Sequence, residues 1–384
     1  MEGRDVYILG GARSYIGVEN GMYQNIPAEQ LGANTLKKVV RKYSLDKIDW
    51  VISGNAVGAG GNIGRLMLLT AGLKENIPAY TVDMQCGSGL ESISIAASKI
   101  ACGQANCIIA GGFESSSTAP RRAYHPNHPD YGTYFEEDSW FRVAKFAPGR
   151  HDEMAMLSGA EKTAIHENIA REDLNSWVLR SHRLAIEARD RGDLETFLVE
   201  GAAGCDRDEC IRERMSEKFL NRLPCILKDG KIITAGNACL TQDGAAFVVL
   251  CSKEYCENYK KSPVAKIVDM AAVGGDPSMS PRTAVYAIQK LLEQNRMTEK
   301  DVSVFECNEA FAVIDELFAR AYPKAVDSYN ILGGALAYGH PYGASGGIIM
   351  LHAIKALEIK KGENAVCSIA AAGGVGSALL LQKV

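Results

Sequence analysis

The sequence predicts an α/β chain of two similar halves, each a doubly wound parallel sheet, and three observations carry that prediction. Short apolar runs ending in glycine alternate with helical patterns from the N-terminus onward. The same alternation resumes and closes the chain, as an internal repeat would. Between the two lies a long stretch, roughly 115 to 236, without steady period.

Taken in order, VYILGGAR at 6–13 reads as a buried strand and turn, and AEQLGANTLKKVVRKY as a helix. Asp49 to Gly58 is a second strand, and the glycine cluster GAGGNIGR opens the next helix. The strand AYTVDMQ runs into Cys86, a helix follows through ESISIAASKIACGQA, and CIIAGGFES is again strand and turn. In such sheets ligands bind at the carboxyl ends of the strands, where Cys86 falls. The middle stretch opens with a segment rich in proline, histidine and aromatics, which suits a loop folded over a ligand. Two amphipathic helices follow, near Met154–Asn168 and Arg171–Arg191. The rhythm then returns with strands GAAFVVLCS and VAKIVDMAAVG, the helix SPRTAVYAIQKLLEQN and the strand leading into NEAF. A glycine-rich loop around His340 and the terminal strand with AAAGGVG end the chain.

Bulk properties bound the function. A length of 384 residues suits two or three domains, and 47% hydrophobic with 23% charged residues is the composition of a soluble globular protein. A net charge of −4 without a Lys/Arg cluster argues against a nucleic-acid surface. No apolar run reaches membrane-spanning length and the N-terminus has no signal-peptide pattern, so the expected location is the cytoplasm. The eleven cysteines include no C-x-x-C. The pairs Cys102 with Cys107 and Cys205 with Cys210 lack a neighbouring second pair or His cluster, which predicts free thiols and no metal site.

Three polar residues stand at strand ends or loops: Cys86, Asn308 within NEAF and His340 within GHPYGASG. A cysteine at a helix N-terminus meets unpaired N–H groups and the positive end of the helix dipole, which predicts a favoured thiolate. With a His to take its proton and an Asn to orient a water or oxyanion, it forms a set for covalent catalysis. Each member alone also has a plainer reading, as a packed thiol, a turn histidine or a helix cap.

Together with MQCGSGL, AGGFESSSTAP, TAGNACLTQDGAA, GGALAYGHPYGASG and the terminal AGGVG, all in one order along the chain, these motifs resemble the thiolases, the acyl-CoA C-acyltransferases. The resemblance implies a five-layer α-β-α-β-α fold. Its N-terminal half would span 1–117 and 241–262, an inserted loop domain binding CoA 118–240, and the C-terminal half 263–384. It also implies a homodimer or homotetramer in fatty acid metabolism, CoA thioesters as substrates and no permanently bound cofactor.

Site roles follow from the same resemblance. Cys86 would be acylated, with His340 within hydrogen-bond reach to draw its proton. His340 and a water held by Asn308 would form one oxyanion hole, the N–H groups of Cys86 and Gly374 the other, and Glu309 would orient its neighbours. For CoA the resemblance points to Met156, Arg212, Ala235, Gly236 and Cys239, with Ala155 where a histidine is usual and Cys239 where a serine is common.

One departure stands out. Where biosynthetic and degradative thiolases carry a second cysteine near the C-terminus, this sequence has Ala370. Cys367 lies an odd number of residues away and so on the opposite strand face. Ala310 fills the position used by the sterol-carrier type, and Cys307 stands beside Asn308 as a remaining candidate. Four readings stay open on these residues: an acyltransferase making or cleaving a 3-oxoacyl-CoA, a decarboxylative condensing enzyme, a thioesterase-like or acyl-carrying protein, and a non-catalytic scaffold.

Overall fold

The computed structural model describes residues 3–199, 206–239 and 241–384, so Cys205 lies outside the described residues. The N-terminal part carries β1 (Val6–Ser14), β2 (Gly17–Val18), α1 (Ala28–Lys42), β3 (Trp50–Gly54), α2 (Ile63–Thr70), β4 (Ala79–Val82), α3 (Ser88–Ala101) and β5 (Cys107–Ser115). A long excursion follows, with α4 (Ala155–His166), α5 (Arg171–Asp190), β6 (Leu198–Val199) and α6 (Glu217–Leu220). The chain then forms β7 (Gln242–Ser252), α7 (Lys253–Asn258), β8 (Ala265–Gly274), α8 (Arg282–Gln294), β9 (Val304–Cys307) and α9 (Ala312–Ala321). It ends with α10 (Ala335–Tyr338), α11 (Tyr342–Lys360), β10 (Asn364–Ala371) and β11 (Val375–Lys383).

The strands run β4-β3-β5-β7-β1-β8-β11-β10-β9. Within that order β3-β5-β7-β1 and β9-β10-β11-β8 are the same arrangement twice, which is the repeat expected from the sequence. The halves are mixed rather than wholly parallel. β3 is parallel to β4 and β5, and β9 to β10, but β7 runs antiparallel to β5 and β1, and β11 to β10 and β8. The cause is local: the link from β10 to β11 is the short turn Ala372–Gly374, with Gly373 and Gly374 at φ of 86° and 75°, and a turn that short reverses the strand. In the other half the whole excursion between β5 and β7 stands where that turn does.

Helices and sheet alternate in five layers. α3 and α11 pack on each other at the centre, with α11 against β5 and β7 on one side and β9 and β10 on the other. α1 and α2 cover the outer face of the first half, and α8 and α9 that of the second. Position explains pattern. α11 is buried almost continuously from Gly343 to Leu357, as a helix enclosed on all sides must be, whereas α1 buries one stripe that includes Leu31, Leu36 and Val39. β5 and β7 are buried along their whole lengths because both faces carry helices.

The central helices meet through glycine. A Cβ on Gly346 would lie 1.9 Å from the backbone nitrogen of Leu90, and one on Gly112 would lie 1.9 Å from the carbonyl oxygen of Gly343. Both obstacles are backbone, so neither can swing aside. Gly346→Ala is therefore expected to destabilise the chain by about 1–3 kcal/mol, read as a lower urea midpoint. An unchanged midpoint would contradict this packing of α3 against α11.

Candidate active site

The residue before Cys86, Gln85, has φ of 52°, uncommon for a side chain larger than glycine. Its amide donates to Asp83 Oδ1 at 2.8 Å and its carbonyl accepts from Ser88 Oγ at 2.6 Å, bonds that hold the sharp turn from β4 into α3. The turn delivers Cys86 to the floor of a cavity of about 670 Å³. Also lining that cavity are His340, Tyr342, Ala370, Ala372 and Cys239.

Cys86 corrects one expectation. Burial, with the charges of Glu114 and Asp83 adding to it, pushes its thiol up to about 12, against the lowering effect of the N–H groups of Ala372 and of Cys86 itself. Desolvation therefore outweighs the helix end in the free protein. With the thiol neutral, only a small thiolate fraction exists near neutrality, and it grows about tenfold per pH unit. Alkylation of Cys86 by iodoacetamide should accordingly keep rising from pH 7 to 10, as followed by peptide mass. A plateau near pH 7 would instead reveal a preformed thiolate.

His340 is buried and its imidazole is pushed down to about 3 by desolvation, so it is neutral across the working range. No hydrogen bond joins it directly to Cys86 among the described residues, so the expected contact at rest is absent. Its backbone N–H donates to Gln242 Oε1 at 2.5 Å. Ser345 Oγ lies 2.6 Å from His340 Nδ1 and 3.3 Å from Pro341 O, which holds the ring at its Nδ1 side and leaves Nε2 on the other. Asn308 Nδ2 lies 3.4 Å from Nε2 and 3.5 Å from Nδ1, and Asn308 N–H is pinned to Ser368 O at 2.9 Å.

Glu309 orders the surroundings from behind. It accepts from Ser181 Oγ of the excursion at 2.6 Å, from Asn330 Nδ2 at 2.9 Å and from Leu336 N at 3.2 Å. Burial raises its carboxyl, and those three donors work against the rise. Ser181 Oγ also accepts from Gly334 N at 3.0 Å, so α5 is tied to the loop that carries His340.

Gly374 is the second correction. Its N–H donates to Ser280 Oγ at 3.0 Å and is not free for a ligand. The amide that acts on the Cys86 sulfur is that of Ala372, two residues earlier. The turn geometry decides this, because a strand-to-strand turn of three residues can aim only some of its N–H groups at one point.

The residues matched to CoA divide. Met156, Ala235 and Cys239 line the cavity. Arg212 and Gly236 do not: they line a separate cavity of about 240 Å³, which shares Ala235 and Ala238 as a wall. Of the aromatic segment, Trp140 and Phe146 reach the main cavity. Sequence reasoning missed the three arginines at its mouth. Arg121 lies over the Trp140 ring at 4.2 Å, Arg122 donates to Arg142 O at 2.8 Å, and Arg142 pairs with Glu19. Only the adjacent basic pair in APRRAY hinted at them. It also missed Tyr342, whose ring stands edge-on to His340 at 5.0 Å.

The other candidate thiols are elsewhere. Cys367 is fully buried with its Sγ toward Ile349 O of α11, on the face opposite Ala370, as the odd spacing required. Cys307 is buried and does not line the cavity.

Comparison with known proteins bears on this site. A family model described as the thiolase N-terminal domain matches residues 6–254, and one described as the thiolase C-terminal domain matches 261–383. Among curated relatives, "Putative acetyl-CoA C-acetyltransferase VraB" of Staphylococcus haemolyticus is 33% identical over 392 residues, covering 99% of each chain. The protein of the same name in Staphylococcus aureus MRSA252 is 34% identical over 382 residues, covering 98% of each. The crystal structure of the Bacillus anthracis acetyl-CoA acetyltransferase superposes with a TM-score of 0.92 at 28% identity over all of both chains. Human mitochondrial 3-ketoacyl-CoA thiolase in complex with CoA gives 0.90 at 29% identity, covering 99% of this chain and 98% of that one.

Proposed function

The chain belongs to the thiolase family and is an acyltransferase of that type, and on that premise we propose that it forms or cleaves a 3-oxoacyl-CoA through an acyl-enzyme on Cys86. The observation that carries this reading is the convergence of the Cys86 sulfur, the Ala372 amide and the His340 imidazole on one cavity. Asn308 stands behind the imidazole. Neutral Cys86 gives its proton to His340 Nε2 as its sulfur bonds the thioester or keto carbon, so no thiolate need persist at rest. The oxygen that becomes negative is stabilised by donors fixed in advance, and the Ala372 and Cys86 amides beside the sulfur would form one such pair. A water held by Asn308, paired with His340, would form a second such pair.

The CoA thioester would enter past Arg121, Arg122 and Arg142, whose charges suit its phosphates, and run along Met156, Ala235 and Cys239. On this reading residues 118–240 form the CoA-binding part inserted into an N-terminal half of 1–117 and 241–262, with 263–384 as the other half. Ala370, facing the same cavity, occupies the place of the missing cysteine. No permanently bound cofactor is needed.

The reading extends to a homodimer or homotetramer acting in the cytoplasm on fatty acid intermediates. β4 supports the assembly: it ends the sheet with an open hydrogen-bonding edge, near the exposed Leu66 and Leu69 of α2. Light scattering reads the assembly against a chain mass of 41.4 kDa. Acetoacetyl-CoA incubated with CoA tests the activity. Loss of the 3-oxo thioester with formation of two acetyl-CoA is expected, and its absence with every chain length tried would overturn the reaction assigned.

A further inference from the structure

Cleaving a 3-oxoacyl thioester leaves an electron pair on the carbon next to the thioester carbonyl, and that carbon must gain a proton. His340 already holds the proton taken from Cys86, which the sulfur needs back when the acyl group departs. A second proton donor inside the cavity would leave His340 to keep that proton for the sulfur instead of serving both transfers in turn.

Few groups there qualify. Of the free cysteines among the described residues, only Cys86 and Cys239 line the cavity. Glu153 accepts from the Arg142 amide at 2.6 Å, and Glu19 is held by Arg142 and by Thr241 Oγ1, so both carboxylates of the mouth are engaged. Tyr342 offers a phenol, whose ordinary value lies above that of a thiol, and burial raises Tyr342 and Cys239 alike.

Cys239 is held firmly. Its N–H donates to Ala310 O at 3.0 Å, and two residues before it Asn237 O accepts from Ala312 N at 3.0 Å. The Asn237 side chain closes its own loop, accepting from Thr234 N at 2.9 Å and donating to Ile232 O at 2.9 Å. The loop bearing the thiol is thus bound to the segment that follows Asn308 and Glu309. Burial raises the thiol and keeps it protonated, and an ionised Cys86 would raise it further.

We propose that Cys239 is a catalytic residue, the proton donor and acceptor for the α-carbon of the CoA thioester; this deepens the acyl-enzyme reading and rests on it. In the cleavage direction the Cys86 sulfur bonds the keto carbon while its proton passes to His340. The bond between the keto carbon and the α-carbon breaks, leaving its electron pair on the α-carbon. Cys239 gives its thiol proton to that carbon, and the shortened thioester departs. A positive His340 and a negative Cys239 then face the cavity together, each favouring the other. The incoming CoA thiol returns a proton to Cys239, its sulfur attacks the acyl group, and Cys86 leaves to recover its proton from His340. Because Cys86 is a thioester at that stage, it carries no charge that would oppose ionisation of Cys239.

The experiment measures two things on the full-length protein: acyl mass on the Cys86 peptide, and exchange of the acetyl-CoA methyl protons in deuterium oxide. Cys239→Ala should still acquire the acyl mass, while proton exchange and acetoacetyl-CoA thiolysis fall by about 10²-fold. Tyr342→Phe should retain exchange. Adding Ala370→Cys to Cys239→Ala places a thiol on the same cavity and should recover at least about tenfold of the lost exchange, which a merely structural role for Cys239 would not allow. Undiminished exchange in Cys239→Ala beside normal acylation would overturn this proposal alone. So would loss of exchange in Tyr342→Phe only, or loss of acylation together with exchange in Cys239→Ala. Failure of the unaltered protein to acquire an acyl mass on Cys86 would overturn the acyl-enzyme reading and this proposal with it.

Discussion

Cys86→Ala is expected to lower turnover of acetoacetyl-CoA with CoA by at least about 10⁴-fold, because every later step needs the thioester that only this sulfur forms. The fold should tolerate the change. The replaced group is one small buried atom at the head of α3, and the turn is held by Asp83, Gln85 and Ser88 rather than by the thiol. A melting curve close to that of the unaltered protein, with CoA still bound, would place the loss in the chemistry. Residual activity above about one part in 10³, or an acyl mass on another cysteine, would sink the assignment of Cys86.

His340→Ala should lower kcat by roughly 10²–10⁴-fold with a smaller change in KM, since the imidazole moves a proton while substrate affinity comes from the rest of the cavity. The variant also leaves Ser345 Oγ and Asn308 Nδ2 without their ring partner, at a cost of about 1–3 kcal/mol in stability. Activity is therefore to be measured well below its melting midpoint. Combining it with Cys86→Ala should add little to the loss from Cys86→Ala alone, because the two residues act as one unit. A loss below tenfold in the single variant would move the proton transfer to another group.

How much of this was legible beforehand follows from physical causes. Strand and helix periodicity exposed the repeated α/β plan, because burial on one or both faces writes itself into the order of apolar residues. Strand direction was not legible. A parallel and an antiparallel strand buried on both faces read alike, and only the Ala372–Gly374 turn shows that β11 runs back along β10. Asn308 and His340 were legible as polar residues at strand ends, and their convergence with Cys86 came from the motif order. Arg212 and Gly236 were placed by the same resemblance and line a different cavity. Which cavity a residue lines depends on loop path, which a motif match does not specify.

Ionisation shows the division most sharply. The sequence by itself determined that a cysteine heads a helix, that a histidine and an asparagine sit on loops beside glycine and within NEAF, and that alanine stands at 370. Those facts name the chemistry, since residue type decides which bonds a site can make. Only the tertiary structure decided that burial outweighs the helix end at Cys86, that Ser345 Oγ holds the His340 ring at Nδ1, and that Ala372 rather than Gly374 offers its amide to the sulfur. It also set Cys239 in the cavity that holds Cys86 while turning Cys367 away. Each of these depends on what surrounds a group in three dimensions, through desolvation and hydrogen bonds from residues up to hundreds of positions apart, and no local pattern in the chain records such neighbours.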